Sequence, residues 1–417
     1  MRTTTRNVLL LASALAPPLA PLCAQDSIDD AVEACLAAAS ASDHTALVDE
    51  LLLREGAAPE HLLALLSRRP EPLAGNAKIV LSVGDQQVKV NVHAPTQRAE
   101  GQQFPVLLAI NWSSPPLHDV VFDTIITADI DGYKPEQFSD EGRDLHMRAL
   151  RTVAFRAGGD PDSLWFTGYS WGGHACYDDA LHRPGVLRGV IARGGGPRRT
   201  WFRLLPNLSG VRVLAVCGGK DDQELVWNLR EVKRGAADDG FTMDYWEPAD
   251  SGHDQPLPGE HEAGLALLST APFAVLPQRG VLLADEIGVE HPLLVVDDVD
   301  ARLCAVPERV PVSARASLDE QRRATIRAMA KSVASIAWDV RSANDVKTVT
   351  LKSKGVRRVR WLFRAPWFAP GERVRVMVGT RAVFEGQLEL DARAMLLDAW
   401  RTGERLRPVL RVVEVKF

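Results

Sequence analysis

The stretch Leu164-Trp165-Phe166-Thr167-Gly168-Tyr169-Ser170-Trp171-Gly172-Gly173 decides how this chain is read. An apolar run passes through Gly-x-Ser-x-Gly into a helical pattern that continues to His182 and stops before Pro184. A serine between such elements sits on a turn so tight that side chains two positions before and after it would collide. Gly168 and Gly172 remove those side chains. The turn would hold the Ser170 hydroxyl above a sheet and aim the amides of the following helix at any negative charge developing there.

Outward from this turn the chain alternates short apolar strands with helical patterns, the order of an α/β fold with a mainly parallel sheet flanked by helices. The expected strands are 79–83, 88–92, 106–110, 124–130, 164–167, 189–192, 211–217 and 241–246. Helices are expected over 141–156, 171–182, 223–237 and 259–269.

A serine hydroxyl is a weak nucleophile at neutral pH and needs an imidazole to take its proton, itself oriented by a carboxylate. Of the ten histidines, only His253, His261 and His291 lie beyond the later strands. His253, in Ser251-Gly252-His253-Asp254 at the end of the last strand, can reach back over the sheet and is the expected base. His261 falls inside a helix and His291 beyond the sheet, whereas His174 reads as a helix residue satisfied locally. The loop Gly218-Gly219-Lys220-Asp221-Asp222 after the 211–217 strand offers two carboxylates. An oxyanion site needs two converging backbone amides. One is expected from Trp171 and the other from Trp112 or Ser113, in Asn111-Trp112-Ser113-Ser114.

On these residues, 78–270 resembles the α/β-hydrolase superfamily, and Asp160-Pro161-Asp162 through Gly173 resembles secreted bacterial esterases of the carboxylesterase, dienelactone hydrolase and poly(hydroxyalkanoate) depolymerase type. The resemblance implies a Ser170, Asp221, His253 triad in that chain order. It favours Asp221 over Asp222 through a Gly-x-x-Asp spacing from Gly218. The Asn111 to Ser114 loop departs from the His-Gly pattern common in lipases and esterases. The resemblance implies no cofactor. It is nearly silent on substrate, and prolyl-oligopeptidase-type peptidases share the arrangement. The short 193–210 segment leaves no room for a large lid, which suits bulky or polymeric esters.

The flanks read separately. Arg2 and Arg6 precede an apolar run from Val8 to Ala16 and a small-residue end at Cys23-Ala24, the pattern of a secretory signal peptide over 1–24. That implies a secreted or periplasmic protein. The run is too short to span a bilayer, and no later one is long enough to anchor the chain. Residues 25–75 read as two or three helices, and 76–275 as the α/β domain. A linker with a helix is expected over 276–335, followed by a small β-sandwich-like domain over 336–417. In that last region Val359-x-Trp361-x-Phe363 and Val374-x-Val376-x-Val378 alternate with period two, leaving Arg358, Arg360, Arg364, Arg373 and Arg375 as an outward stripe.

Composition narrows the classes. With 46% hydrophobic, 25% charged and 6% aromatic side chains over 417 residues, the chain excludes disorder and collagen-like repeats. A formal charge of −5, or −7 without residues 1–24, demands no nucleic acid or anionic membrane. Of the five cysteines Cys23 falls in the expected signal segment, and the remaining Cys35, Cys176, Cys217 and Cys304 are scattered and make no disulfide framework. His261 lacks the second histidine of a zinc helix, so no metal site is expected. The rival from another class is a non-catalytic envelope protein that uses a hydrolase shell for binding.

Overall fold

The computed structural model describes residues 27–83, 86–110, 123–131, 138–253, 259–269, 278–307, 310–313 and 315–417. The expected signal segment and the Trp112 to Ser113 loop lie outside these residues.

Eight strands form one sheet: β1 (Gly75–Val83), β2 (Gln86–Ala94), β3 (Phe104–Ile110), β4 (Ile126–Asp131), β5 (Gly159–Tyr169), β6 (Gly189–Arg193), β7 (Arg212–Val216) and β8 (Thr242–Trp246). Their order across the sheet is β1-β2-β4-β3-β5-β6-β7-β8. Only the pairings of β2 are antiparallel; from β4 to β8 every neighbour is parallel. A parallel sheet is covered on both faces, so its strands read as continuous apolar runs. Alternate residues accordingly enter two cores. Leu108, Phe166, Val190 and Val213 join one of them. Leu107, Trp165, Ile191 and Leu214 join the other.

The helices of this unit follow from local signals. Three N-terminal helices, α1 (Ile28–Leu36), α2 (Ala41–Leu51) and α3 (Pro59–Ser67), precede α4 (Asp140–Ala157), α5 (Trp171–His182), α6 (Gln223–Gly235) and α7 (Glu260–Leu268). Ser139 caps α4 by accepting from the Gly142 amide, and Gly158 ends it in the left-handed conformation. Helices α4 and α5 bury Leu150, Val153, Tyr177 and Leu181 against one face of the sheet. Leu267 and Leu268 of α7 cover the other. The chain thus has the α/β fold with a mainly parallel sheet flanked by helices that the sequence implied.

The C-terminal unit differs from expectation. Strands β9 (Arg279–Ala284), β10 (Glu290–His291) and β11 (Leu294–Val299) lie where a linker was expected, followed by α8 (Ala301–Cys304) and α9 (Leu318–Met329). They combine with β12 (Ala334–Ala343), β13 (Val346–Lys354), β14 (Val356–Arg364), β15 (Arg373–Val378), β16 (Arg381–Gln387) and β17 (Val409–Lys416) into two sheets. These sheets, β10-β11-β14-β17 and β16-β15-β13-β12-β9, enclose one core that includes Leu282, Leu294, Trp338, Trp361 and Phe363. The sandwich therefore begins at Arg279, not at residue 336. Gly280 shows why β9 belongs to it: it faces Trp338 across the β9–β12 pair, and a Cβ there would fall 2.1 Å from the indole.

The expected arginine stripe is also corrected. A register shift between Phe363 and Arg364 turns Arg364 inward, where it is 1% exposed and donates to Asp398 at 2.6 and 2.8 Å. Arg360 pairs with Asp297 and Arg375 with Glu385, so much of the stripe is neutralised in place. Phe368 plugs the core edge-on to Phe363.

Helix α10 (Ala392–Thr402), read from sequence as part of a strand region, carries Met395, Leu396 and Ala399 on the face that packs on α1, α2 and α3. Trp400 Nε1 donates to Ala38 O at 2.8 Å, and Arg405 donates to Leu66 O at 3.1 Å. The N-terminal helices thus pack largely on the C-terminal end of the chain. Cys35, Cys176, Cys217 and Cys304 are buried free thiols.

Candidate active site

Ser170 occupies the turn between β5 and α5 with φ 52° and ψ −115°, a conformation that costs a non-glycine residue about 1–3 kcal/mol. The turn is fixed from both sides. The Ser170 amide donates to Arg193 O at 2.8 Å, and its carbonyl accepts from the His174 amide at 3.1 Å. At Gly168 a Cβ would stand 2.3 Å from the Gly172 carbonyl carbon, so no other residue fits there.

Two loops bring the polar partners to this serine. Gly218 packs so closely on Ser251 that a Cβ would meet its carbonyl oxygen at 2.3 Å. The Gly219 amide donates to Pro248 O and the Lys220 amide to Ser251 O, at 2.8 and 2.9 Å. The loop after β7 is thereby locked to the loop after β8. The result is one hydrogen-bonded line: Ser170 Oγ lies 3.0 Å from His253 Nε2, and His253 Nδ1 lies 2.9 and 3.1 Å from the two oxygens of Asp221. A carboxylate beside Nδ1 requires the proton on that nitrogen, which leaves Nε2 free to accept from the serine.

The two adjacent carboxylates separate by role. Asp221 is nearly buried and takes further hydrogen bonds from the Asp222 amide at 2.7 Å and from the Cys217 thiol at 3.5 Å. Asp222 instead caps α6, accepting from the amides of Glu224 and Leu225 at 2.9 and 3.0 Å. Burial, reinforced by Asp221, pushes the Cys217 thiol well above its usual range, so it remains a donor. Sequence gave no sign of this contact, because a cysteine ending an apolar strand reads as core.

A second feature was missed: the Gly194-Gly195-Gly196 run after β6. Gly194 has φ 56°, and a Cβ there would fall 2.9 Å from the His253 ring. A Cβ on Gly195 would lie 2.5 Å from Ser170 O and 2.6 Å from the His174 amide. Three glycines in a row were the available signal. His174 Nδ1 contacts the Gly196 backbone, at its carbonyl oxygen and, 3.2 Å away, at its amide nitrogen, which makes His174 a support of this wall rather than a second base. Burial, with the nearby Arg198 charge adding to it, holds His174 below the usual imidazole range.

Trp171 opens α5, and its amide is among the first four of the helix, which have no intrahelical acceptor. Its side chain is 46% exposed. Trp112 and Ser113, the expected second oxyanion donors, are outside the described residues. His291 lies in the sandwich, buried against Trp338, and His261 lies in α7. Among the described residues no cluster of three or more His, Cys, Asp or Glu side chains could hold a metal ion. None of their helices is long and apolar enough to cross a membrane.

No protein-family model matches the chain, and no curated protein does. Solved structures with partial likeness include dipeptidyl peptidase 4 of Porphyromonas gingivalis, at 15% identity and a TM-score of 0.36, over 54% of this chain and 37% of that one. A carboxylesterase of Mesorhizobium loti aligns at 18% identity and a TM-score of 0.35, over 46% of this chain and 99% of that one. Esterase 2 of Thermogutta terrifontis aligns at 14% identity and a TM-score of 0.35, over 49% and 93%. The chain thus spans little more than a third of the peptidase's length.

Proposed function

We propose that the protein is an exported serine hydrolase that cleaves carboxylic esters through an acyl-enzyme on Ser170. The observation that carries this reading is the unbroken line from Ser170 Oγ through His253 to Asp221, set on a strained turn. In the reaction His253 Nε2 takes the hydroxyl proton as Oγ attacks the ester carbonyl, and Asp221 steadies the imidazolium that forms. The oxyanion gathers charge beside the Trp171 amide at the α5 N-terminus. His253 then protonates the departing alkoxide, leaving Ser170 acylated. Water attacks the acyl group as His253 again accepts a proton, and His253 returns that proton to Ser170 Oγ as the bond to the acyl carbon breaks and the acid leaves. No step needs a cofactor.

The same residues would serve amide hydrolysis, so a peptidase of the prolyl-oligopeptidase type is the second reading. Rates on matched ester and amide substrates separate the two. A non-catalytic envelope-binding shell would have no use for a 3.0 Å contact between Ser170 and His253 on strained backbone. Export belongs to the proposal, and mass spectrometry of secreted material should find a chain starting near Gln25.

The first test is labelling by a fluorophosphonate, which loses fluoride as its phosphorus bonds to an activated serine oxygen. Label should map to Ser170 and vanish in Ser170→Ala. A folded protein that takes no label on Ser170 refutes the hydrolase reading.

A further inference from the structure

The proposed chemistry leaves one charged group beside the site without a role. The glycine wall of residues 194–196 continues through Pro197 to Arg198, an exposed arginine that begins a 3₁₀ segment over Arg199–Leu208. Its guanidinium lies over Phe138, with Cζ 4.1 Å from that ring's centroid and 5.4 Å from the ring centroid of Trp201. Phe138 in turn contacts the Trp171 ring at 5.6 Å between centroids and crosses Trp201 edge-on at 5.4 Å. Trp171 directly follows Ser170, and Gly195, three residues before Arg198, lies against the Ser170 carbonyl. Chain connectivity and ring contacts therefore place this cation and the exposed Trp171 face at the rim of the same site.

Charge makes the arrangement informative. The neighbouring arginines are matched: Arg199 pairs with Glu224, Arg203 with Asp285, and Arg193 stands near Glu260. Arg198 has two aromatic faces and, among the described residues, no carboxylate partner. Stacking on rings restricts a guanidinium without neutralising it and leaves its N–H edge available for an anion.

We propose that Arg198 recognises an anionic substituent on the substrate, so that the preferred esters carry a carboxylate or similar group on one side of the scissile bond and an apolar portion against Trp171. This assignment rests on the serine-hydrolase reading. It names Arg198 as a specificity residue that takes no part in proton transfer.

The test compares matched substrate pairs with the purified full chain. One pair is para-nitrophenyl hexanoate and mono-para-nitrophenyl adipate, which carry the charge difference on the acyl side. The other is methyl para-butyryloxybenzoate and para-butyryloxybenzoate, which carry it on the leaving group. The readout is the ratio of kcat/KM for the anionic ester to that for its neutral partner within one preparation, which cancels any loss of folded enzyme. For at least one pair, that ratio should fall about 3- to 5-fold in Arg198→Gln, the upper range of an exposed ion pair. It should fall further in Arg198→Glu and be largely kept in Arg198→Lys. In wild type it should shrink at about 0.5 M salt, as a solvent-accessible charge contact must. Ratios that stay within about twofold across all three variants for both pairs overturn the assignment and leave the hydrolase reading intact. A folded wild-type protein that hydrolyses neither member of either pair and takes no fluorophosphonate label overturns both.

Discussion

The adjacent carboxylates Asp221 and Asp222 give a double dissociation between activity and stability. In Asp221→Asn the new side-chain oxygen would still accept from the Asp222 amide, now 2.7 Å from Oδ1. Its NH₂ group would then face His253 Nδ1, at the position where a carboxylate oxygen now lies 2.9 Å away. Two donors cannot share that contact, so His253 would shift its proton to Nε2 and lose the lone pair that receives the Ser170 proton. A wrong tautomer of this kind lowers kcat by about 10⁴-fold, equivalent to about 5.5 kcal/mol of transition-state stabilisation. Stability should change little, because the side chain keeps its volume. Asp222→Ala removes two capping bonds from α6. That should cost about 1 kcal/mol, a drop in the melting temperature of the α/β unit of about 2–4 °C, with kcat/KM within about twofold of wild type. Ester hydrolysis and thermal unfolding on the same preparations check both arms. If Asp222→Ala loses activity by two orders of magnitude or more while Asp221→Asn stays near wild type, the assignment of the acid is wrong.

Gly168→Ala should prevent the turn from forming, because the added carbon would sit 2.3 Å from backbone that has nowhere to go; a loss of more than about 3 kcal/mol in urea unfolding, together with absent labelling, is expected. Burial opposes a charge on His182, but hydrogen bonds to Asp178 and Asp285 outweigh it and raise the imidazole to about 9. A raised histidine stabilises fully below its unfolded value near 6.5, and the contribution, at most roughly 3 kcal/mol, is lost as pH rises through 9. Melting temperature should therefore fall between pH 7 and pH 9.5 in wild type and follow a flatter course in His182→Gln. Arg364→Met strands the buried Asp398 and should cost about 3–5 kcal/mol, whereas adding Asp398→Leu should recover most of it, as read by thermal unfolding.

What could be read from the sequence divides along range. The serine turn was legible because its requirements fall within five residues, Gly168 to Gly172, and depend on sterics alone. The acid loop was legible because it follows the apolar 211–217 run, and His253 because it follows the alternating 241–246 strand. The choice of Asp221 came from resemblance; its physical reason, that Asp222 is committed to the α6 amides, needed coordinates. Strands β9 and β11 were hidden because six-residue runs are ambiguous and their partners are distant, Ala284 pairing with Ala334 and Leu294 with Trp361. Helix α10 was hidden for the same reason. Its apolar face is complete only with α1, α2 and α3, more than three hundred residues earlier.

The charged residues between the α/β unit and the sandwich carry this point furthest. Arg143 and Arg203 lie in helical stretches and Arg183 just past the end of α5, where a sequence reading would leave them solvated, yet each is 8% exposed or less. Arg143 donates to Asp178 of its own unit and to Glu286 of the sandwich. Arg183 joins Asp144 to the Gly288 carbonyl, and Arg203 spans Asp285, Cys304 O and Ser332 O. Removing one side of such contacts leaves buried charges without partners, which is far more costly than exposing an apolar surface of equal size. The sandwich is therefore part of what makes α4 and α5 stable. Since α5 begins at the Ser170 turn, the strained backbone that positions the serine is braced at its far end, through Asp178, Asp179, His182 and Arg183, by contacts that include residues of another layer of the protein.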